Sequence, residues 1–214
     1  MQQKRHRCRL VLVTPPEIAL ETFADDFIAA LSGGDVASVI VALDSEDDTV
    51  WRDACAALMD PAIRAGAAFL LRDRLSLVVE VNADGLHVEA GIPELPKLVK
   101  SLSPERIVGA GGATNRHDAM VSGESGVDYV MFGTTNPTPD RQMRYGDVKW
   151  LTEWWAELVT LPSIAPAASM EEARELVECG ADFIAANELV WNHPEGAHTA
   201  VAALNTLFEQ LAAQ

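Results

Sequence analysis

Arg106 to Phe132 reads RIVGAGGATNRHDAMVSGESGVDYVMF, and this stretch decides the fold. Arg106 to Ala110 (RIVGA) has the apolar, β-branched character of a strand. Gly111-Gly112 reads as a turn, Asn115 to Ser122 as a helix, and Asp128 to Phe132 (DYVMF) as the next strand. Strands that are apolar throughout need cover on both faces, which helical crossovers over a parallel sheet supply.

Outward from this unit the alternation repeats. Upstream, Leu10 to Val13 is a strand ending at Pro15-Pro16, Pro16 to Leu31 a helix closed by Gly33-Gly34, and Val36 to Leu43 (VASVIVAL) a second strand. Asp47-Asp48-Thr49 caps a helix carrying Trp51, Ala54 and Leu58. Ala67 to Leu71 is a strand, Asp73 to Val81 a helix, Asp84 to Val88 a strand and Pro93 to Leu102 a helix. Downstream lie a helix near Val148 to Val159, a strand at Ser163 to Ala165, a helix from Met170 to Cys179, a strand at Asp182 to Ala186 and a helix from Ala197 to Leu211. Eight βα units in 214 residues predict a single (β/α)8 TIM barrel over residues 9–214, after a basic arm at residues 1–8. A doubly wound open sheet is the alternative, but its first turn is usually glycine-rich and here it is Thr14-Pro15-Pro16. Asn82-Ala83-Asp84, Gly126-Val127-Asp128 and Gly180-Ala181-Asp182 echo one another: a residue suited to a left-handed helix end, a small residue, then an Asp opening a strand. These aspartates fall at the end of the barrel that serves stability.

Lys and Arg total 16 against 32 Asp and Glu, a formal charge of -16, so nucleic acid and anionic membrane are poor partners. A small anionic substrate stays open, because a pocket can be locally basic. Cys8, Cys55 and Cys179 form no zinc or disulfide pattern and read as small core residues. The apolar run Leu10 to Val13 is too short for a signal-peptide core and nothing approaches a membrane span, so the expected location is the cytoplasm.

Function in such a barrel belongs at the C-terminal ends of strands. Arg72-Asp73 sets a guanidinium suited to phosphate beside a carboxylate suited to Mg²⁺, or else an N-capping Asp among surface arginines. Gly111-Gly112 with Thr114 offers amides to an anion, or is ordinary turn chemistry. Phe132 to Arg141 (FGTTNPTPDR) lines a polar pocket or is a plain surface loop, and Asn187 and Glu188 follow the last strand. His87, inside a strand, is a satisfied buried group or a base. Trp150 and Trp154 share a helix face and read as packing or an oligomer contact.

At these residues the chain resembles the thiamine phosphate synthase/TenI family of small (β/α)8 barrels. RLVLVT (Arg9–Thr14) is similar to that family's RLYLIT, FLLRDR (Phe69–Arg74) to FLINDR, and ADGLHV (Ala83–Val88) to the start of ADGVHLGQ. DYVMFG through Pro137-Thr138 is similar to DYIGFGPVFPT, and Gly180 to Ala185 completes the order. The resemblance implies a transferase joining hydroxymethylpyrimidine diphosphate to thiazole phosphate, with Mg²⁺ on the diphosphate. The resemblance implies Asp73 as the metal ligand, although the family's Asn before it is Arg72 here. Taken with the strand-end reading, it nominates Arg72, Asp73 and Arg141 as catalytic groups and Gly111, Thr114, Thr138, Asn187 and Glu188 as substrate-binding groups. A homodimer is implied by the same analogy. The chain departs from the pattern in several places. The expected second metal Asp is Ile92, Gly-Gln is Glu89-Ala90, the glutamine and lysine after strand two are Val41 and Leu43 to Ser45, and Thr-Lys after Thr138 is Asp140-Arg141. The phosphate-loop Gly-Gly is Ala167-Ala168, and a serine is Glu188. Two other readings therefore stand beside the synthase. One is a TenI-like enzyme acting on a small heterocycle without diphosphate, with Glu188, Glu89 or His87 as acid or base. The other is a non-catalytic binding or regulatory barrel.

Overall fold

The structure is a computed structural model that describes residues 7–89, 92–140 and 142–213, without the Ile92 side chain. Eight parallel strands close into a barrel in sequence order: β1 (Arg9–Val13), β2 (Val36–Val41), β3 (Ala68–Arg72), β4 (Gly85–Val88), β5 (Ile107–Ala113), β6 (Tyr129–Phe132), β7 (Ser163–Pro166) and β8 (Phe183–Ala186). β8 pairs with β1 through Arg9–Phe183 to Leu12–Ala186, so no strand edge is left open. The described helices are α1 (Leu20–Ser32), α2 (Asp48–Arg64), α3 (Leu75–Glu80), α4 (Leu95–Leu102), α5 (Arg116–Glu124), α6 (Tyr145–Leu158), α7 (Met170–Glu178), α8 (Glu188–Trp191) and α9 (Ala197–Ala212).

The strand period of two separates two cores. Leu10, Leu12, Val39, Val41, Phe69 and Leu71 point outward into the layer shared with the helices, where Phe27, Trp51, Trp155 and Phe208 are buried. Val11, Val13, Ile40, Leu70, Tyr129, Met131 and Ile164 fill the barrel interior. The echoed aspartates act as their position implied. Asp84 accepts the Phe69 amide at 2.7 Å, Asp128 that of Val108 at 2.8 Å and Asp182 that of Ser163 at 2.9 Å. Each therefore ties the start of its own strand to the start of the preceding one. The residues before them, Asn82, Gly126 and Gly180, all have left-handed φ, at 57°, 84° and 102°.

Three local expectations are corrected. β5 runs through Gly111 and Gly112 to Ala113, so the glycine pair is strand and not turn; the register shifts there, and the Gly112 amide bonds Gly133 O at 2.6 Å. α3 starts at Leu75 rather than Asp73, because Asp73 has φ 53°, which no helix accepts. A short extra helix, α8, follows β8. Of the cysteines, Cys8 and Cys55 are buried, and burial pushes their thiols up to about 12 and about 11, which leaves them inert. Arg7 bonds Asn205 on α9 at 2.8 Å.

Candidate active site

A cavity of about 860 Å³ opens at the C-terminal end of the barrel. Its walls come from the segments after β1, β2, β3, β6, β7 and β8. Arg72, Thr138, Asn187 and Glu188 all line it, so residues spread over more than half the chain meet at one mouth. Asp44, Glu172 and Glu188 bring three carboxylates, and Arg72 is the one cation among the described lining residues. Arg141 lies outside the described residues. Gly111 and Thr114 are not among the cavity's lining: Gly111 sits inside β5, and the Thr114 hydroxyl bonds Asp118 at 3.3 Å beside the α5 N-terminus, which Asn115 caps.

Alternation along β3 explains Arg72. Leu70 points into the barrel and Leu71 out, so Arg72 returns inward at the strand's last position. Its guanidinium donates to Leu43 O at 2.8 Å and to the Thr135 hydroxyl at 3.3 Å. Arg74 turns away: it bonds Ser45 O, pairs with Glu46 at 3.3 Å and stacks on Trp51 at 5.1 Å. Asp73, exposed at the turn, accepts the Glu89 amide at 2.8 Å.

Across the mouth, Asn187 leaves the α8 amides uncapped and donates instead to Asn136 Oδ1 at 2.7 Å and Thr14 O at 3.4 Å. Asn136 donates onward to Ala42 O at 2.6 Å, and the Ala42 amide donates to the Thr14 hydroxyl at 2.9 Å. The ends of β1, β2, β6 and β8 are thereby laced together. In the loop after β7, Glu172 accepts the Ala168 amide at 2.7 Å while its own amide donates to Ser169, a reciprocal helix cap. That amide is then engaged where the resemblance implied a phosphate cup.

β4 and β5 give no residue to the cavity's lining, but a polar group built on them lies behind it, against Thr135. His87 is fully buried, with Nδ1 2.8 Å from the Tyr129 hydroxyl and Nε2 3.3 Å from Glu89 Oε1. The same Glu89 oxygen accepts the Thr135 amide at 2.5 Å. Burial pushes the Glu89 carboxyl up, but the His87 bond and charge, the Thr135 amide and Arg72 outweigh it and hold the group below its ordinary value. Burial drives the Tyr129 phenol up, so it stays protonated. The partnership of Tyr129 and the reach of Glu172 into the site were not foreseen from the sequence, whereas Asp44 opens the acidic loop at the C-terminal end of the second strand, where function was expected. Strand alternation carries the signal for Tyr129, since it shares β6 parity with Met131.

Comparisons with known proteins agree with this architecture. The family model described as thiamine monophosphate synthase matches residues 10–190. A thiamine-phosphate synthase of Hyphomonas neptunium is 38% identical over 98% of both chains, and one of Rhodospirillum centenum is 37% identical over 92% of this chain and 96% of its own. Among solved structures, a thiamine phosphate pyrophosphorylase of Pyrococcus furiosus superposes with a TM-score of 0.79 at 21% identity, covering 96% of this chain and 97% of its own. A closed eight-stranded barrel, a polar mouth fed by its strand ends and sequence likeness over nearly the full length converge: the chain belongs to the thiamine monophosphate synthase family.

Proposed function

We propose that the chain is a thiamine phosphate synthase, a transferase that joins hydroxymethylpyrimidine diphosphate to thiazole phosphate and releases pyrophosphate. The observation that carries this reading is the gathering of Arg72, Thr138, Asn187 and Glu188 around one mouth. The reaction breaks the bond from the pyrimidine methylene carbon to the diphosphate oxygen, whose electron pair leaves with pyrophosphate. The thiazole nitrogen then forms a bond to that carbon. Charge grows on the leaving group, so the protein's task is mainly electrostatic. A guanidinium has five donors, and the two contacts to Leu43 and Thr135 leave others for phosphate oxygens. Arg141, three residues beyond Thr138, is the second cation in this reading, and Thr138, Asn187 and Glu188 meet the polar edges of the substrates.

The resemblance offers magnesium one side chain, Asp73, which is not among the cavity's lining; the carboxylates that line it are Asp44, Glu172 and Glu188. Among the described residues no group of three or more His, Cys, Asp or Glu is arranged to hold a metal. One carboxylate plus diphosphate oxygens is a donor set that Mg²⁺ accepts, so Asp73 would meet an ion carried in on the substrate from the turn next to the lining residue Arg72. The ion would add positive charge against the departing pyrophosphate. In this reading the barrel over residues 9–214 works in the cytoplasm on small molecules; among the described residues no helix is long and apolar enough to cross a membrane. Pairing with a second copy is the association to look for, and the exposed Trp150, with Arg116 over it at 4.1 Å, is the first surface to examine.

One observation favours a second reading. Glu172 holds the Ala168 amide, and three carboxylates face a single described cation, which suits a TenI-like enzyme whose heterocycle carries no diphosphate. Calorimetry with hydroxymethylpyrimidine diphosphate, thiazole phosphate and Mg²⁺, joined to a turnover assay, separates the readings. Binding and turnover that both fall in Asp73→Ala support the synthase. Binding without turnover points to a regulatory barrel, and no binding of either ligand points to the TenI-like enzyme.

A further inference from the structure

The interior of the barrel holds a polar chain that the transfer reaction does not itself use. It runs from the Tyr129 hydroxyl to His87 at 2.8 Å, from His87 to Glu89 at 3.3 Å, and from Glu89 to the Thr135 amide at 2.5 Å. The Thr135 hydroxyl then accepts from Arg72 at 3.3 Å. Two glycines of β5 make the room. A Cβ on Gly111 would lie 2.6 Å from His87 Nε2 and 2.9 Å from Glu89 Cγ, and one on Gly109 would lie 1.9 Å from Tyr129 Cζ. Two interior glycines weaken a strand, so the space they leave is a built feature. The Glu89 side chain is 11% exposed and held in its charged form by the groups around it.

We propose that Glu89 is a positioning residue: its buried carboxylate fixes the backbone at Thr135 and, through the Thr135 hydroxyl, holds the Arg72 guanidinium in the cavity. The loop from Gly133 to Asp140 contains no helix or strand and opens on a left-handed glycine, so its shape depends on anchors from outside it. Glu89 is the anchor on the Thr135 backbone, and Asn136 is held separately through Ala42 O and Asn187. An arginine ordered before its anion arrives loses less freedom on binding, which raises affinity and aligns the leaving group. The identity of that anion, pyrophosphate, rests on the synthase reading.

The test is a double-mutant cycle on the full chain, with inorganic pyrophosphate as the calorimetric probe. Glu89→Ala should weaken pyrophosphate binding about tenfold, and Glu89→Gln should restore most of it, because an amide oxygen still accepts the Thr135 N–H. In an Arg72→Ala background, Glu89→Ala should bring no further loss. In turnover, Glu89→Ala should lower kcat while KM for thiazole phosphate stays within about twofold. If Glu89→Ala does not fold, Glu89→Asp replaces it; one methylene shorter, it should lose the Thr135 contact and the same affinity. Additive losses in the double variant, unchanged binding in Glu89→Ala, or a wild-type protein that does not bind pyrophosphate would each overturn the proposal. Glu89-dependent pyrophosphate binding without turnover overturns only the synthase reading, and turnover with additive losses overturns only the positioning role.

Discussion

At the scale of single residues, the site depends on side chains that strand parity turns inward. Arg72 is the clearest case: Leu70 and Arg72 share a side of β3, and the latter reaches the mouth. Arg72→Ala should lower kcat by about 10² to 10³, the usual loss when one preorganised donor to a developing anion is removed. Steady-state kinetics checks this, with far-UV circular dichroism confirming an intact barrel. Gly109→Ala tests the interior instead. Its methyl would have to displace the Tyr129 ring, so it should destabilise by about 1–3 kcal/mol, read as a lower denaturation midpoint. Position at strand ends was enough to nominate Arg72, Thr138, Asn187 and Glu188. It was not enough to say which loop atoms they bond. Glu89 and His87 were legible only as loose acid-base candidates, because the Thr135 amide that gives Glu89 its place lies 46 residues away in sequence.

Among the elements, the turns below the barrel were the most legible part. A left-handed residue, a small one and an Asp recur because the entries to β4, β6 and β8 share one helix exit and one acceptor for an unpaired amide. Asp128→Ala leaves the Val108 amide without its acceptor and should cost about 1–3 kcal/mol of stability, measured by urea denaturation. Its kcat should stay at the wild-type value, since the mouth is at the other end. The upper ends of the elements were harder to read. Gly111-Gly112 has turn composition, yet pairing with β6 extends β5 to Ala113. Glycine marks a need for space there as well as for a turn, and only the neighbours His87 and Glu89 tell which. Cys8 illustrates the converse, a residue whose bland reading as core held.

For the whole molecule, charge sets the response to solution conditions. A formal charge of -16 repels itself in the compact state, so raising sodium chloride from low to physiological ionic strength at pH 7 should raise the thermal midpoint. On the acid side, the bond and charge from Arg9, at 2.8 Å, hold the Asp35 carboxyl below its ordinary value. A carboxyl depressed in the folded state stabilises it above the unfolded value and ceases to do so as pH falls through the folded one. Asp35→Asn should therefore flatten part of the acid limb of the stability–pH curve while changing little at pH below both values, a comparison that calorimetry at several pH values provides. The order of strands and helices, the closure into a cylinder and the end at which the cavity opens followed from the sequence alone. Apolar periodicity and helix ends are local properties that each segment carries with it. The cavity's wiring was decided by the tertiary structure: Asn187 to Asn136, Glu172 on the Ala168 amide, and Glu89 beneath Thr135 and Arg72. Hydrogen bonds between strand ends depend on barrel register and loop course, and those emerge only when all eight strands pair at once.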